Sequence, residues 1–256
     1  MKSKWDGIFA ALEVLPFVMS EMEVPLASLS LTHVHYNPDD PISHASAFLA
    51  LVPQALCIIY VTLIWATREV EVLLMFAGQM LCEGLNLVLK RLIREERPAQ
   101  MFGKGYGMPS SHSQFVAFFS LSLTFFLLVR HVPDPSTNRS SSTFMQRAAL
   151  SVLACICAGS VAASRVYLNY HTPKQVLAGY TAGLVCGISW FWFSSYLRRE
   201  GWVDWALETQ LARMARMRDL LIEEDLVEAG WQRWNDQRVA FKRKAKPSQY
   251  ARGTTA

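Results

Sequence analysis

Charge is what this 256-residue chain has least of: Asp, Glu, Lys and Arg make up 18% of it, against 52% hydrophobic residues. Soluble domains carry about 25% charged residues, and the deficit here is concentrated rather than spread. Several uncharged stretches approach the roughly 20 residues needed to cross a bilayer, and such clumping is a membrane pattern. The five cysteines (Cys57, Cys82, Cys155, Cys157, Cys186) lie inside apolar runs, and none forms a Cys-x-x-Cys pair. A disulfide framework and a redox dithiol are thereby set aside, and the thiols read as small buried hydrophobes. No basic stripe with interleaved aromatics is present, which sets aside nucleic acid as a partner. The net charge of +4 is mild. Its basic residues gather at the ends of apolar runs and in the C-terminal tail, which suits an anionic lipid surface. There is no internal repeat. The first 20 residues are broken by Asp6, Glu13 and Pro16, too interrupted for a signal-peptide core and too short to span.

What remains is a bundle. Residues 1–23 read as an N-terminal extension and 24–45 as a polar lead-in, with strong turn chemistry at Asn37-Pro38-Asp39-Asp40-Pro41. His33 and His35 lack nearby acidic or thiolate partners and read as surface groups. Spanning helices are expected at 46–66, 70–92, Ser110 or Ser111 to Arg130, 147–163 and 174–197. The expected fold is therefore all-α, an integral membrane bundle of about five transmembrane helices over 46–197. A charged tail follows over 198–256. In it Val203, Leu207, Leu211 and Met214 recur at helical spacing beside Trp202 and Trp205, predicting one amphipathic helix at the membrane surface. The end of the tail, Lys242 to Lys246, reads as unstructured.

Five crossings place the loops holding Arg97–His112 and Arg165–Lys174 on one side, and the 131–146 linker and tail on the other. Arg130, Arg139, Arg147, Arg198 and Arg199 mark the second side as cytosolic. The Asn138-Arg139-Ser140 sequon then lies in the cytosol and is expected to stay unglycosylated.

Three polar pieces stand at helix ends on the first side. Lys90 and Arg97 close the second helix, Pro109-Ser110-Ser111-His112 opens the third, and Ser164-Arg165 to His171 lies between the fourth and fifth. Three cations brought together call for an anion, and phosphate suits the planar fork of Arg and the point charge of Lys. The helix start at Ser110 and Ser111 adds free backbone N–H groups and the positive end of a dipole. Two histidines point to displacement chemistry: His171 attacks phosphorus and His112 protonates the leaving oxygen. Gln175, four residues after His171, is placed to hold the far ring nitrogen. Glu83 and Asn86 share a helix face with Lys90 and read as interhelical hydrogen-bonding groups, with Glu83 also orienting Lys90. Lys174 reads as a snorkelling interfacial residue. No Asp/Glu/His set suited to a metal accompanies the site, so a route without metal or other cofactor is expected.

Lys90-x6-Arg97-Pro98, Pro109-Ser110-Ser111-His112 and Ser164-Arg165-x5-His171 together resemble the three-part signature of the type 2 phosphatidic acid phosphatase (PAP2) superfamily. The resemblance covers about residues 24–197. It implies a PAP2/chloroperoxidase-like membrane phosphatase working through a phosphohistidine on His171. His112 would be the acid, Lys90, Arg97 and Arg165 would hold phosphate, and Ser110 and Ser111 would donate hydrogen bonds. Ser111 stands where the family usually has glycine, and Gln175 where most members have aspartate. The wider context, Glu83-x-x-Asn86-x-x-x-Lys90 and Ser-Arg-Val-Tyr-Leu-x-Tyr-His-Thr-x-x-Gln-Val, is similar to the dolichyldiphosphatase branch, in which glutamine is ordinary. That implies hydrolysis of dolichyl diphosphate, a polyprenyl lipid, at the lumenal face of the endoplasmic reticulum, recycling the carrier of N-glycosylation. Two other readings stand beside it: a broader phosphatase for phosphatidate or sphingoid phosphates, and a non-catalytic lipid-phosphate binder or transporter.

Overall fold

The computed structural model describes residues 27–29, 34–98, 105–131, 143–219 and 226–245, most of them helical. A short hairpin, β1 (Ala27–Leu29) and β2 (Val34–Tyr36), precedes α1 (Pro41–Leu49), α2 (Val52–Thr67), α3 (Val70–Ile93) and α4 (Ser111–Phe125). The last of these continues as a π-helical turn, Phe126–Arg130. Next come α5 (Phe144–Tyr167) and α6 (Pro173–Arg199), then α7 (Trp202–Glu208), α8 (Gln210–Ala215) and α9 (Leu226–Ala245). Among the described residues, five stretches are long and apolar enough to cross a membrane: 41–67, 70–93, 111–130, 144–167 and 173–199. The protein is an all-α membrane bundle. The N-terminal extension, His33, the Asn138 sequon and Lys246 lie outside the described residues.

The boundaries differ from the expected ones where capping chemistry lies outside the apolar run. The first crossing begins at Pro41, not 46, because the Asp40 carboxylate caps it by accepting from the Ile42 N–H at 2.9 Å. It is two helices, interrupted at Ala50-Leu51 just ahead of Pro53, which lacks an N–H. The fourth crossing starts at Phe144, not 147, where Thr143 and Gln146 form a reciprocal capping box. Thr172 and Gln175 form another at the start of α6. The stretch from Val203 to Met214 is two short helices rather than the one expected. Thr209 adopts an extended backbone that ends α7, and its hydroxyl caps α8. Helix persists through Ala245 in the segment expected to be unstructured.

Helix α4 forms the centre, packed by α3, α5 and α6, and buries Phe115, Val116, Ala117 and Phe118. Large apolar residues such as Ile58, Leu81, Ile156, Leu177 and Trp192 face outward, as expected where the surroundings are hydrocarbon. Between helices the adhesive is polar. Asn86 donates to Gln114 Oε1 at 2.7 Å, Gln114 donates to the Cys82 carbonyl at 2.7 Å, and Gln79 donates to the Phe115 carbonyl at 3.3 Å. A feature that sequence reading passed over sets the α4–α6 distance. Gly179, Gly183 and Gly187, four residues apart, lie against Ser110, Gln114 and Leu121. A Cβ at Gly179 or Gly183 would run into the backbone of Ser110 or Gln114. Small residues at this spacing let helix backbones touch. The consequence is that Ser110 N–H donates to the Gln175 carbonyl at 3.1 Å, joining two site segments.

At the other end of the bundle Glu71, 3% exposed, accepts from Arg130 and from Arg198, and Arg198 also bonds Asp219. Arg130 reaches the hydroxyls of Ser194 (3.0 Å) and Ser195 (2.7 Å) as well. The tail folds back here: Arg218 N–H donates to the Arg68 carbonyl and Val70 N–H to the Arg218 carbonyl.

Candidate active site

The segment from Arg165 to His171 is shaped by a turn. Asn169 takes a left-handed conformation (φ 55°), which folds the chain so that the N–H groups of Tyr170 and His171 both donate to the Arg165 carbonyl, at 3.0 and 3.2 Å. The five-residue spacing thus returns His171 to the side of Arg165. The hairpin supports this turn from outside: His35 N–H donates to the Tyr170 hydroxyl at 2.9 Å, and Val34 packs with Leu168 and Tyr170. Tyr167 donates to the Asp40 carboxylate at 2.6 Å, which holds that carboxyl below its usual range.

Arg165 is 3% exposed, and its guanidinium stacks over the Tyr170 ring at 4.4 Å. Its Nε and Nη1 have no hydrogen-bond partner among the described residues. A buried guanidinium in this condition is costly unless an anion is to be met there. Lys90 lies in the last turn of α3, and Arg94 closes that helix in a left-handed conformation, which turns the chain toward Glu95, Glu96 and Arg97. Arg97 is half-buried. The fields of Arg97, Arg165 and Lys90 all act on His171, so the three cations converge.

His171 is 3% exposed and its Nδ1 lies 3.2 Å from Gln175 Oε1. Gln175 is fully buried, and its Nε2 donates to the Glu96 carbonyl at 2.8 Å and to Glu95 Oε1 at 3.2 Å. Two acceptors on one side of the amide leave its oxygen facing the imidazole. Nδ1 must then carry the proton, and the Nε2 lone pair is free. Burial first, and then the charges of Arg97 and Arg165, lower the His171 pKa to about 4, against the opposing Gln175 hydrogen bond. The ring is neutral at neutral pH.

His112 is oriented differently. Its Nε2 lies 3.1 Å from the Ala50 carbonyl, at the break between α1 and α2. A carbonyl only accepts, so Nε2 is protonated and Nδ1 is the atom left for proton exchange. His112 also lies within the electrostatic reach of Arg165, His171 and Lys90. Ser110 is fully buried and stands at the N-cap position of α4, with Ser111 the first helical residue. Ser113 donates to the Ser110 hydroxyl at 3.2 Å, which leaves the Ser110 proton for another acceptor.

The expected site residues are thus gathered at one end of the bundle, with two exceptions in detail. Glu83 makes no ion pair with Lys90: the two interact through space across two turns, and Glu83 Oε2 is buried without a hydrogen-bond partner among the described residues. Asn86 instead braces α4, reaching Gln114 and, at 3.4 Å, the Pro109 carbonyl. Lys174 is not simply a snorkelling residue, since it pairs with Glu95 at 3.0 Å. Sequence reading missed Glu95, the Ala50 carbonyl and Gly107. Only Glu95 left a signal, as an acid inside the Lys90–Arg97 interval. Among the described residues no three His, Cys, Asp or Glu side chains are grouped to hold a metal ion.

A family model described as the PAP2 superfamily matches residues 68–199. A Neurospora crassa relative that carries a dolichyldiphosphatase name is 47% identical over 271 residues, covering 87% of this chain and 96% of its own length. Dolichyldiphosphatase 1 of Dictyostelium discoideum is 35% identical over 210 residues, covering 81% of this chain and 89% of its own. The crystal structure of a transmembrane PAP2 type phosphatidylglycerolphosphate phosphatase from Bacillus subtilis aligns over 73% of this chain and 88% of that one, at 25% identity and a TM-score of 0.47.

Proposed function

The chain belongs to the PAP2 superfamily, and from that premise we propose that it hydrolyses dolichyl diphosphate to dolichyl phosphate and inorganic phosphate through a phosphohistidine on His171. The observation that carries this reading is the Gln175 amide, which leaves His171 neutral with a free Nε2 beside Arg165. The names of the relatives supply the substrate class.

In this mechanism the terminal phosphoryl group sits among Lys90, Arg97, Arg165 and the N–H groups at the start of α4. Nε2 of His171 attacks the terminal phosphorus. The bond from that phosphorus to the bridging oxygen breaks, and the electron pair leaves with dolichyl phosphate, which takes a proton from Nδ1 of His112 in its imidazolium form. Water then attacks the phosphohistidine, Nδ1 of His112 takes its proton to restore the imidazolium, the Nε2–phosphorus bond breaks and phosphate departs. The cations favour the extra negative charge that accumulates on the phosphoryl oxygens during both transfers. No step draws on a metal or other cofactor.

The catalytic unit is taken as residues 46–197, with 198–256 as a cytosolic tail and the site on the lumenal face of the endoplasmic reticulum membrane. Arg130, Arg147, Arg198 and Arg199 at the opposite end support that orientation. On this reading the product re-enters N-glycosylation as lipid carrier. Detergent-solubilised wild type and His171→Ala are to be assayed for phosphate release from dolichyl diphosphate and from phosphatidate. A loss of about 10³-fold or more in His171→Ala is expected, with dolichyl diphosphate the better substrate. Unchanged release in the variant would overturn the nucleophile, and an equal or higher rate on phosphatidate would overturn the substrate class.

A further inference from the structure

The Gln175 amide is held on three sides. Its oxygen faces two donors, His171 Nδ1 at 3.2 Å and Thr172 N–H at 3.3 Å. Its nitrogen faces two acceptors, the Glu95 carboxylate and the Glu96 carbonyl. Gly107 closes the remaining side, where a Cβ would lie 2.7 Å from Oε1 and 2.8 Å from Nε2. Turning the amide over would set oxygen against two acceptors and N–H groups against a donor. Glu95 is itself fixed, by Lys174 at 3.0 Å and by Gly107 N–H donating to its backbone carbonyl at 2.7 Å. These contacts run as one line from carboxylate to amide to imidazole.

From this line we infer that Glu95 is a positioning residue: it supplies the carboxylate of the nucleophile's support one residue removed, fixing through Gln175 which nitrogen of His171 attacks, and it makes position 175 require an amide rather than an acid. A carboxylate at 175 would bring an oxygen to the place where Nε2 now meets Glu95 Oε1 and the Glu96 carbonyl, three acceptors with no proton among them. The bonds from Lys174 and Gln175 hold the Glu95 carboxyl below its usual range, so it is ionised at neutral pH. The role rests on the His171 mechanism above, but the tautomer it sets is observable without turnover.

Two measurements test it together. In the first, phosphate release is followed for Gln175→Glu, Glu95→Gln and the double variant, on whichever of dolichyl diphosphate or phosphatidate the wild type turns over. Gln175→Glu should lower kcat by about 100-fold with KM changed less than about threefold, a loss confined to the chemical step. Glu95→Gln should cost only a few-fold, since its amide oxygen still accepts from Gln175. The double variant should recover at least tenfold over Gln175→Glu, because an amide donor now faces the new carboxylate. Recovery of less than tenfold would overturn the coupling. In the second, ¹⁵N-histidine NMR, with the His171 signal assigned by its loss in His171→Ala, should show Nδ1 protonated in wild type and a mixture of tautomers in Glu95→Ala. A wild type protonated at Nε2, or an unchanged tautomer in Glu95→Ala, would overturn the inference. Failure of wild type to act on dolichyl diphosphate would count against the substrate alone.

Discussion

The two ends of the bundle use arginine in opposite ways. At one end Arg130 and Arg198 converge on the buried Glu71, and Arg198 has Asp219 as a second acid. At the other, Arg165 is as deeply buried as Glu71, yet among the described residues Nε and Nη1 have no hydrogen-bond partner, and the guanidinium lies over an aromatic face. Both arrangements sit where a chain leaves the membrane, and in sequence both read as basic residues at helix ends. The difference is whether the protein provides the anion. Where it does, the charges tie helices and tail together. Where it does not, an anionic group of the substrate is the natural complement.

The comparison breaks most visibly at its two arginine clusters. Arg165→Ala should lower kcat/KM by about 10³-fold, the scale of losing one charged transition-state contact, while thermal unfolding in detergent stays within a few degrees of wild type. Comparable loss of stability and activity would make Arg165 structural. Glu71→Ala should do the reverse. Leaving two arginines without their buried partner costs about 3–5 kcal/mol, so the midpoint of thermal unfolding should drop well below wild type. The KM of protein that remains folded should be unaltered, and an unaltered midpoint would mean that the cluster does not hold the tail.

Acidity sharpens the contrast. His171 has its pKa lowered to about 4, by burial first and then by Arg97 and Arg165, against about 6.5 for a free imidazole. The unfolded chain therefore binds a proton between those values that the folded one refuses. The stabilising contribution is complete above about pH 6.5 and is lost as pH falls toward 4. In kcat/KM the limb owed to the free enzyme's nucleophile should lie near pH 4, and a limb at 6.5 that persists with a substrate not titrating there would contradict the burial. The smallest effect is expected at Lys174. Its pair with Glu95 is exposed, such pairs are worth about 0–1 kcal/mol, and Lys174→Ala should change kcat no more than about threefold.

How far the sequence could carry this picture depended on where the signal lay. Five apolar stretches announced five crossings, and Lys90, Arg97, His112, Arg165 and His171 stood out as polar groups at their ends. Helix ends were displaced because Asp40, Thr143 and Gln146 cap from polar segments that hydropathy ignores. The tail's apolar period concealed the break at Thr209. Gly179, Gly183 and Gly187 were readable at their spacing but were passed over. The Ala50 carbonyl that orients His112 had no side chain to reveal it, and Glu95 looked like one more charge in a basic loop. Contacts made by backbone atoms, or by residues whose importance lies in a partner 79 or 80 positions away, become visible only when the chain is folded.

The proposed phosphohistidine on His171 can be trapped directly. Wild-type protein mixed with dolichyl diphosphate labelled at the terminal phosphorus, and quenched in base within a turnover, should retain label that is stable to base, released by acid and located on His171. No label, or label on any other residue, would contradict it.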